Sequence, residues 1–240
     1  TLVNTTLAAS LTAITIISGY DGSNTTPSEA NFTALSVTGV SASNISSVNS
    51  VLAVLSVATT DSRAEVQSIV NTYVAILNAA DGTANSGLAL TAANYQNIGL
   101  TDITSSSRAN LFSSILDSNV DSAVDAYSEL QILANIVARL LITAAGGNPT
   151  PPITAAELAL IGINGVTSTN LSSVLSTIAA TTDNGSGIDD LAKLQGVVDT
   201  GIANARSASQ AIIANYDGTN TVPTLDDFVN VGVTGVISGQ

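Results

Sequence analysis

Gly232-Val233-Thr234-Gly235-Val236, near the C-terminal end, is the stretch on which the fold of this chain turns, because it has three echoes. They are Ser36-Val37-Thr38-Gly39-Val40, Gly99-Leu100-Thr101-Asp102-Ile103 and Gly162-Ile163-Asn164-Gly165-Val166. The first residues, at 36, 99, 162 and 232, are separated by 63, 63 and 70 residues. A near-constant period of that size marks a tandem array, so the repeat is the object to explain.

A turn precedes each phrase. Tyr20-Asp21-Gly22-Ser23-Asn24-Thr25 matches Tyr216-Asp217-Gly218-Thr219-Asn220-Thr221, with Ala80-Asp81-Gly82 and Ala145-Gly146-Gly147 at the equivalent places. Glycine accepts positive φ and aspartate bonds back to its own backbone, so each turn ends one helix and leads to the next. Thr224-Leu225-Asp226-Asp227 and Thr154-Ala155-Ala156-Glu157 then have the form of a capping box, and Pro27, Pro152 and Pro223 stand just outside the helix starts. A first helix of two to three turns is expected between each turn and its phrase.

Beyond the phrase, the Ser/Thr/Asn clusters 41–44, 104–107 and 167–170 open a second helix. Leu171, Val174, Leu175 and Ile178 fall at i, i+3, i+4 and i+7, and Ile45, Val48, Leu52 and Leu55 form the matching stripe. A third, longest helix carries Val66, Ile69, Val70, Tyr73 and Leu77 on one face. Its later counterparts are Val120, Val124, Tyr127, Leu130, Ala134, Val137 and Leu141, then Ile188, Leu191, Leu194, Val198, Ile202, Ala205, Ala208 and Ile212. Gln67, Gln131 and Gln195 recur at steps of 64 residues, as a fixture bonding a loop carbonyl would.

The expected fold is therefore all-α: a tandem array of three-helix bundles, each with a short, a medium and a long helix. The expected divisions are residues 1–19, the tail of a preceding long helix; repeats at 20–80, 81–145 and 146–215; and 216–240, the first helix of a following repeat. The chain begins and stops mid-repeat and starts on Thr rather than Met. It reads as a segment of a longer array, or as a subunit whose ends complete one another head to tail, a contact that builds filaments when it does not close.

Composition narrows the function. Of 240 residues, 45% are hydrophobic, 10% charged and 3% aromatic; 18 acids against 5 bases leave a net charge of −13. The bases are scattered singly, so no basic patch points to nucleic acid or an anionic membrane. Residues 7–20 are apolar but too short to span a bilayer, which takes about 20 residues, so no membrane insertion is expected. His, Cys, Met and Trp are absent, which removes imidazole bases and thiolate nucleophiles. Asp189-Asp190 is the tightest acid pair, but neighbours on a helix point apart, and glycosidase chemistry needs carboxylates facing across a cleft. No catalytic or cofactor-binding residue is expected, and the chain is not read as an enzyme.

Two loops offer oxygen ligands of the kind calcium accepts, with Asp21 and Asn24 in one and Asp217 and Asn220 in the other. They lack the spacing of an EF-hand loop, and a plain turn is the preferred reading. Six Asn-x-Ser/Thr sequons stand in a chain so rich in these residues that chance supplies most of them.

The phrases 216–224 and 232–236 resemble helical repeats of very large secreted surface proteins of Gram-negative bacteria, of the giant-adhesin and biofilm-matrix kind. Those repeats are similar to the three-helix GA-like modules of bacterial surface proteins. The resemblance covers all the repeats, more loosely the second. It implies secretion, an extracellular or cell-surface location and a structural role in adhesion or matrix, and it supplies no catalytic residue. Alternatives are a GA-like module binding a host or matrix protein, and a passive spacer in a longer adhesin.

Overall fold

In the computed structural model, which describes residues 2–85 and 87–237, every regular segment is helical. Eleven α-helices and two 3₁₀ turns are formed among the described residues, and no strand. Thr1, at the start of the expected leading helix tail, and residues 238–240, at the end of the expected last repeat, lie outside the described residues. The chain divides into two compact units, residues 1–135 and 136–240. That division falls within a helix, away from the boundaries at 80, 145 and 215 that the sequence period suggests.

The first unit contains α1 (Leu2–Ser18), α2 (Glu29–Ala34), α3 (Ile45–Leu52), the 3₁₀ turn Val57–Thr59, α4 (Arg63–Ala79), α5 (Ala92–Asn97), α6 (Ser106–Asp117), the 3₁₀ turn Asp121–Ala123 and the start of α7 (Tyr127–Ala144). α2 packs on α1, where Ser10 Oγ donates to the Ala34 carbonyl over 2.7 Å. α4 is the hub, touching α3, α5 and α6. Its stripe Val66, Ile69, Val70, Tyr73 and Ile76 is fully buried. Tyr95 of α5 meets Phe112 of α6 edge to face, with ring centroids 4.8 Å apart.

The second unit contains the rest of α7, then α8 (Ala155–Leu160), α9 (Leu171–Ala179), α10 (Leu191–Ala214) and α11 (Leu225–Asn230). α10 packs against both α9 and α11. α9 and α10 approach so closely that a Cβ on Gly201 would stand 2.6 Å from the Val174 Cα. Ser173 Oγ donates to the Gly201 carbonyl across that contact, over 2.8 Å.

Local chemistry explains the short helices. Thr91, Thr154 and Thr224 each accept a bond from the backbone N–H three residues on, and Asn94, Glu157 and Asp227 reach back to the cap's own N–H. Asn31 reaches back to Ser28 N in the same way, over 2.8 Å. The long α4 opens on the same device with Ser62 and Glu65. α10 opens on Asp190, whose Oδ1 accepts from Ala192 N and Lys193 N.

Several details differ from the sequence expectation, among them that Leu55 lies past the end of α3 and Ile188 before the start of α10. The short helices have six residues, under two turns, because a left-handed residue stops each of them. Val120 and Val124 precede α7 rather than lying on it: residues 121–123 turn as 3₁₀, and the Val124 carbonyl accepts from the Tyr73 hydroxyl over 2.9 Å. On α10 the buried line is Leu194, Val198, Gly201, Ala205 and Ser209, whereas Ala208 is exposed. The close approach of α9 at Gly201 sets that face.

Candidate functional site

The recurring phrase is a helix terminator with a clamp. At each short helix the last turn closes as a Schellman motif. Val37, Leu100, Ile163 and Val233 donate from N to the carbonyls of Phe32, Tyr95, Leu158 and Phe228, at 2.9, 3.0, 2.9 and 2.9 Å. Ser36, Gly99, Gly162 and Gly232 donate to Thr33, Gln96, Ala159 and Val229, at 2.9, 2.9, 3.0 and 3.0 Å. The residue before each of the first set is left-handed: Ser36 at φ 57°, Gly99 at 88°, Gly162 at 88° and Gly232 at 82°. Only the first is not glycine.

The side chain after the turn is driven inward against the aromatic or leucine it caps. Val37 is 5% exposed, Leu100 0% and Ile163 2%, whereas Val233 is 43% exposed. Val233, in the phrase that follows α11, is thus the most open of the four.

The recurrent glutamines do the covering. Gln67 Oε1 accepts from Thr38 N over 2.9 Å and its Nε2 donates to Thr38 O over 2.9 Å. Gln195 treats Asn164 in the same way, at 2.9 and 3.2 Å. One amide thus satisfies both backbone groups of the third residue of the phrase, as a neighbouring strand would. Each amide also donates one turn along its own helix, to Asn71 at 2.8 Å or Asp199 at 2.7 Å. Gln131 bonds differently: its Nε2 donates to Asp102 Oδ2 over 2.8 Å, and the Tyr127 hydroxyl lies 2.9 Å from both Gln131 Oε1 and the Gly99 carbonyl. Burial, and then the Asp102 charge, push the Tyr127 hydroxyl's pKa up, which keeps it a donor.

The calcium candidates form closed turns. Asp21 Oδ1 accepts from Ser23 N and Oγ, both at 2.9 Å, and from Asn24 N at 3.2 Å, while Asn24 Nδ2 donates to Gly19 O at 2.6 Å. Asp217 Oδ1 accepts from Thr219 N at 2.9 Å and Oγ1 at 2.8 Å, and Asn220 Nδ2 donates to the Asn215 carbonyl. The backbone N–H of Ser23, or of Thr219, is the leading cause of a lowered carboxyl pKa at each. No group of three or more acids is arranged to hold a metal ion among the described residues. The other acid pair is also engaged, with Asp190 capping α10 and Asp189 Oδ1 2.6 Å from Lys193 Nζ.

Three features gave no signal in the sequence. Arg139 is almost fully buried and pairs with Glu157, and its Nη1 also donates to the carbonyls of Pro151 and Pro152, each at 3.2 Å. Asn49 is buried with its Nδ2 on the Pro27 carbonyl at 2.9 Å and its Oδ1 without a partner. A groove of about 530 Å³ runs between residues 146–153 and the Leu171 and Leu175 face of α9. Arg139 looked like one scattered base among five, and nothing in the sequence pairs it with a glutamate 18 residues away.

No helix among the described residues is long and apolar enough to cross a membrane. Comparison of the chain with known protein families, characterised proteins and solved structures finds no match.

Proposed function

We propose that this chain is a non-catalytic structural repeat protein of the bacterial cell surface or extracellular matrix, built as a tandem array of three-helix bundles and forming a rod or filament in adhesion or biofilm. One observation carries this: the phrase forms the same Schellman cap at four places, and at two of them a glutamine amide bonds both backbone groups of its third residue. A device that repeats along a chain sets a repeating shape, and arrays of such units are stabilised by each unit and its neighbours. The carboxylates of Asp21, Asp190, Asp217, Glu157 and Asp227 bond within turns and helix caps, which supports the reading.

Deleting one period, residues 82–145, tests the array. The shortened chain should keep its helical content per residue and a cooperative transition; collapse to an unfolded chain would overturn the array. Antibodies raised against the purified chain test the location. They should label intact cells and their matrix, and labelling only after lysis would overturn it.

A further inference from the structure

Four serines and two aspartates share one small pocket within the first unit. Ser43 stands just before α3, and Ser46, Ser47 and Ser50 lie on it; Asp121 opens the 3₁₀ turn before α7, and Asp125 follows that turn. The pocket measures about 240 Å³. We propose that it binds a hydrated calcium ion, which bridges α3 and the segment leading into α7. The site goes beyond the array reading above and does not depend on it.

The two carboxylates lack a cation. Neither Asp121 nor Asp125 makes a side-chain hydrogen bond or an ion pair among the described residues. The bases of this unit are engaged elsewhere, Arg63 on the Ser36 carbonyl and Arg108 on that of Asp102. The period shows what is missing. Sixty-four residues on, the step that relates the recurrent glutamines, Asp125 becomes Asp189 and Glu129 becomes Lys193. Asp189 has its ammonium at 2.6 Å, whereas the residue in the lysine's place is an acid that caps Ala126 N. The uncompensated charge reaches inward: burial first, and then Asp125, Glu129 and Asp121, push up the pKa of the Tyr73 hydroxyl.

Ser47 is the second, independent pointer. It is only 5% exposed, it lines the pocket, and its hydroxyl has no hydrogen-bond partner among the described residues. Its counterpart on α9, Ser173, donates to the Gly201 carbonyl. Counted from Gln67 and Gln195, Tyr73 of α4 stands where Gly201 stands on α10, and the Ser47 hydroxyl opens to the pocket instead. Buried hydroxyls are normally bonded, so an unbonded one beside two unpaired carboxylates points to a ligand. A hydroxyl can turn a lone pair toward a cation. Carboxylate, hydroxyl and water oxygens are the set calcium takes, six to eight at a time in flexible geometry, whereas magnesium demands a near-ideal octahedron. With two carboxylates, water fills the remaining positions, and the volume has room for several molecules.

Calcium titration of the full 240-residue chain, followed by amide shifts in ¹⁵N–¹H spectra, tests this. About 0.15 M KCl screens the chain's diffuse charge. The amides of residues 43–50 and 121–127 should shift together and saturate, with a midpoint of about 0.1–1 mM, the range of weakly charged calcium sites. D121N/D125N should raise the midpoint at least tenfold, and S47A several-fold. Neither aspartate side chain is bonded and Ser47 loses no bond, so helicity by circular dichroism should stay at the wild-type value in both. D21N/D217N, which alters the two Asp-Gly turns, should leave the midpoint unchanged. No saturable shift up to about 10 mM, shifts spread over all the acidic residues, or a midpoint unmoved in D121N/D125N or in S47A would overturn the site. Magnesium shifting the same amides with an equal midpoint would overturn calcium as the ion.

Discussion

Exchanging residues between two equivalent helix ends tests the account of the phrase. Ser36 holds φ 57° where Gly162 holds 88°, and both close the same Schellman motif. An L-residue in the left-handed region costs about 1–2 kcal/mol relative to its right-handed state. Glycine gives back about 0.4–1 kcal/mol through the greater freedom of its unfolded chain. The difference makes Ser36→Gly stabilising by about 0.5–1 kcal/mol and Gly162→Ser destabilising by a similar amount. Packing does not confuse the pair. Ser36 is exposed, and its carbonyl, not its side chain, accepts from Arg63 at 2.8 and 3.1 Å. A Cβ on Gly162 would meet only Leu191 Cδ2, at an ordinary 3.7 Å. Gly99→Ser is the control with sterics added: its Cβ would stand 3.3 Å from both Leu55 Cδ2 and the Tyr127 hydroxyl oxygen, so it should cost more than Gly162→Ser. Urea unfolding followed at 222 nm gives the midpoints, with slopes expected to hold. Hydrogen exchange at Val37 and Ile163, whose amides make the two cap bonds, assigns each change to its own helix end. A Ser36→Gly chain no more stable than wild type would refute the claim that this position is strained. A harmless Gly162→Ser would remove left-handed geometry as the reason for glycine there.

The clamps and the buried ion pair give further tests. Gln195→Ala should cost about 1 kcal/mol, two partly solvated hydrogen bonds, and should speed exchange of the Asn164 amide. Gln195→Glu should cost at least as much, because a carboxylate cannot donate to the Asn164 carbonyl and is brought beside Asp199, a comparison that denaturation midpoints settle. Glu157→Gln keeps the capping geometry but removes the charge facing buried Arg139. Its cost should be about 2 kcal/mol, below the ~3–5 of a fully buried pair because Glu157 is part-exposed. The same glutamate gives a pH dependence. The Arg139 hydrogen bond holds its carboxyl below the ordinary 4.5, so its contribution is complete above that value and is lost as the pH falls through the lower folded value. Acid unfolding monitored between neutral pH and pH 2 should accordingly be shallower in Glu157→Gln.

What the sequence made legible was local. The caps of α8 and α11, the Asp-Gly turns and the left-handed glycines depend on residues within five positions of one another, and their chemistry can be read without a partner. The glutamines were legible for another reason: a long-range bond that recurs leaves a period in the sequence even when its other end is a backbone group. Contacts made once leave no such trace. The face of α10 follows from how close α9 comes at Gly201, so counting apolar positions misplaced it by including Ala208. The start of α7 was misplaced because Val124 is a buried valine that serves a loop, its carbonyl turned to Tyr73. Arg139 and Glu157 are joined by the path of the proline-rich segment between them, which no helical periodicity encodes.

What recurs and what varies then bears on function. The capped residue is Phe32, Tyr95, Leu158 or Phe228, and the residue after the turn is Val37, Leu100, Ile163 or Val233, yet the cap bonds stay within 0.1 Å of one another. Gln67 and Gln195 bond backbone, so Thr38 and Asn164 are interchangeable to them; in the second repeat Tyr127 and Asp102 share the task by other bonds. Away from these devices the repeats diverge. Asn49 of α3 bonds the Pro27 carbonyl, while Leu175, the matching residue of α9, lines a groove together with Ile153. A protein that bound one ligand at each repeat would repeat its outward residues and let the inward ones drift within their size limits. This chain repeats instead the residues that cap its short helices and, at two places, clamp the phrase that follows, a pattern that fits the structural role proposed above.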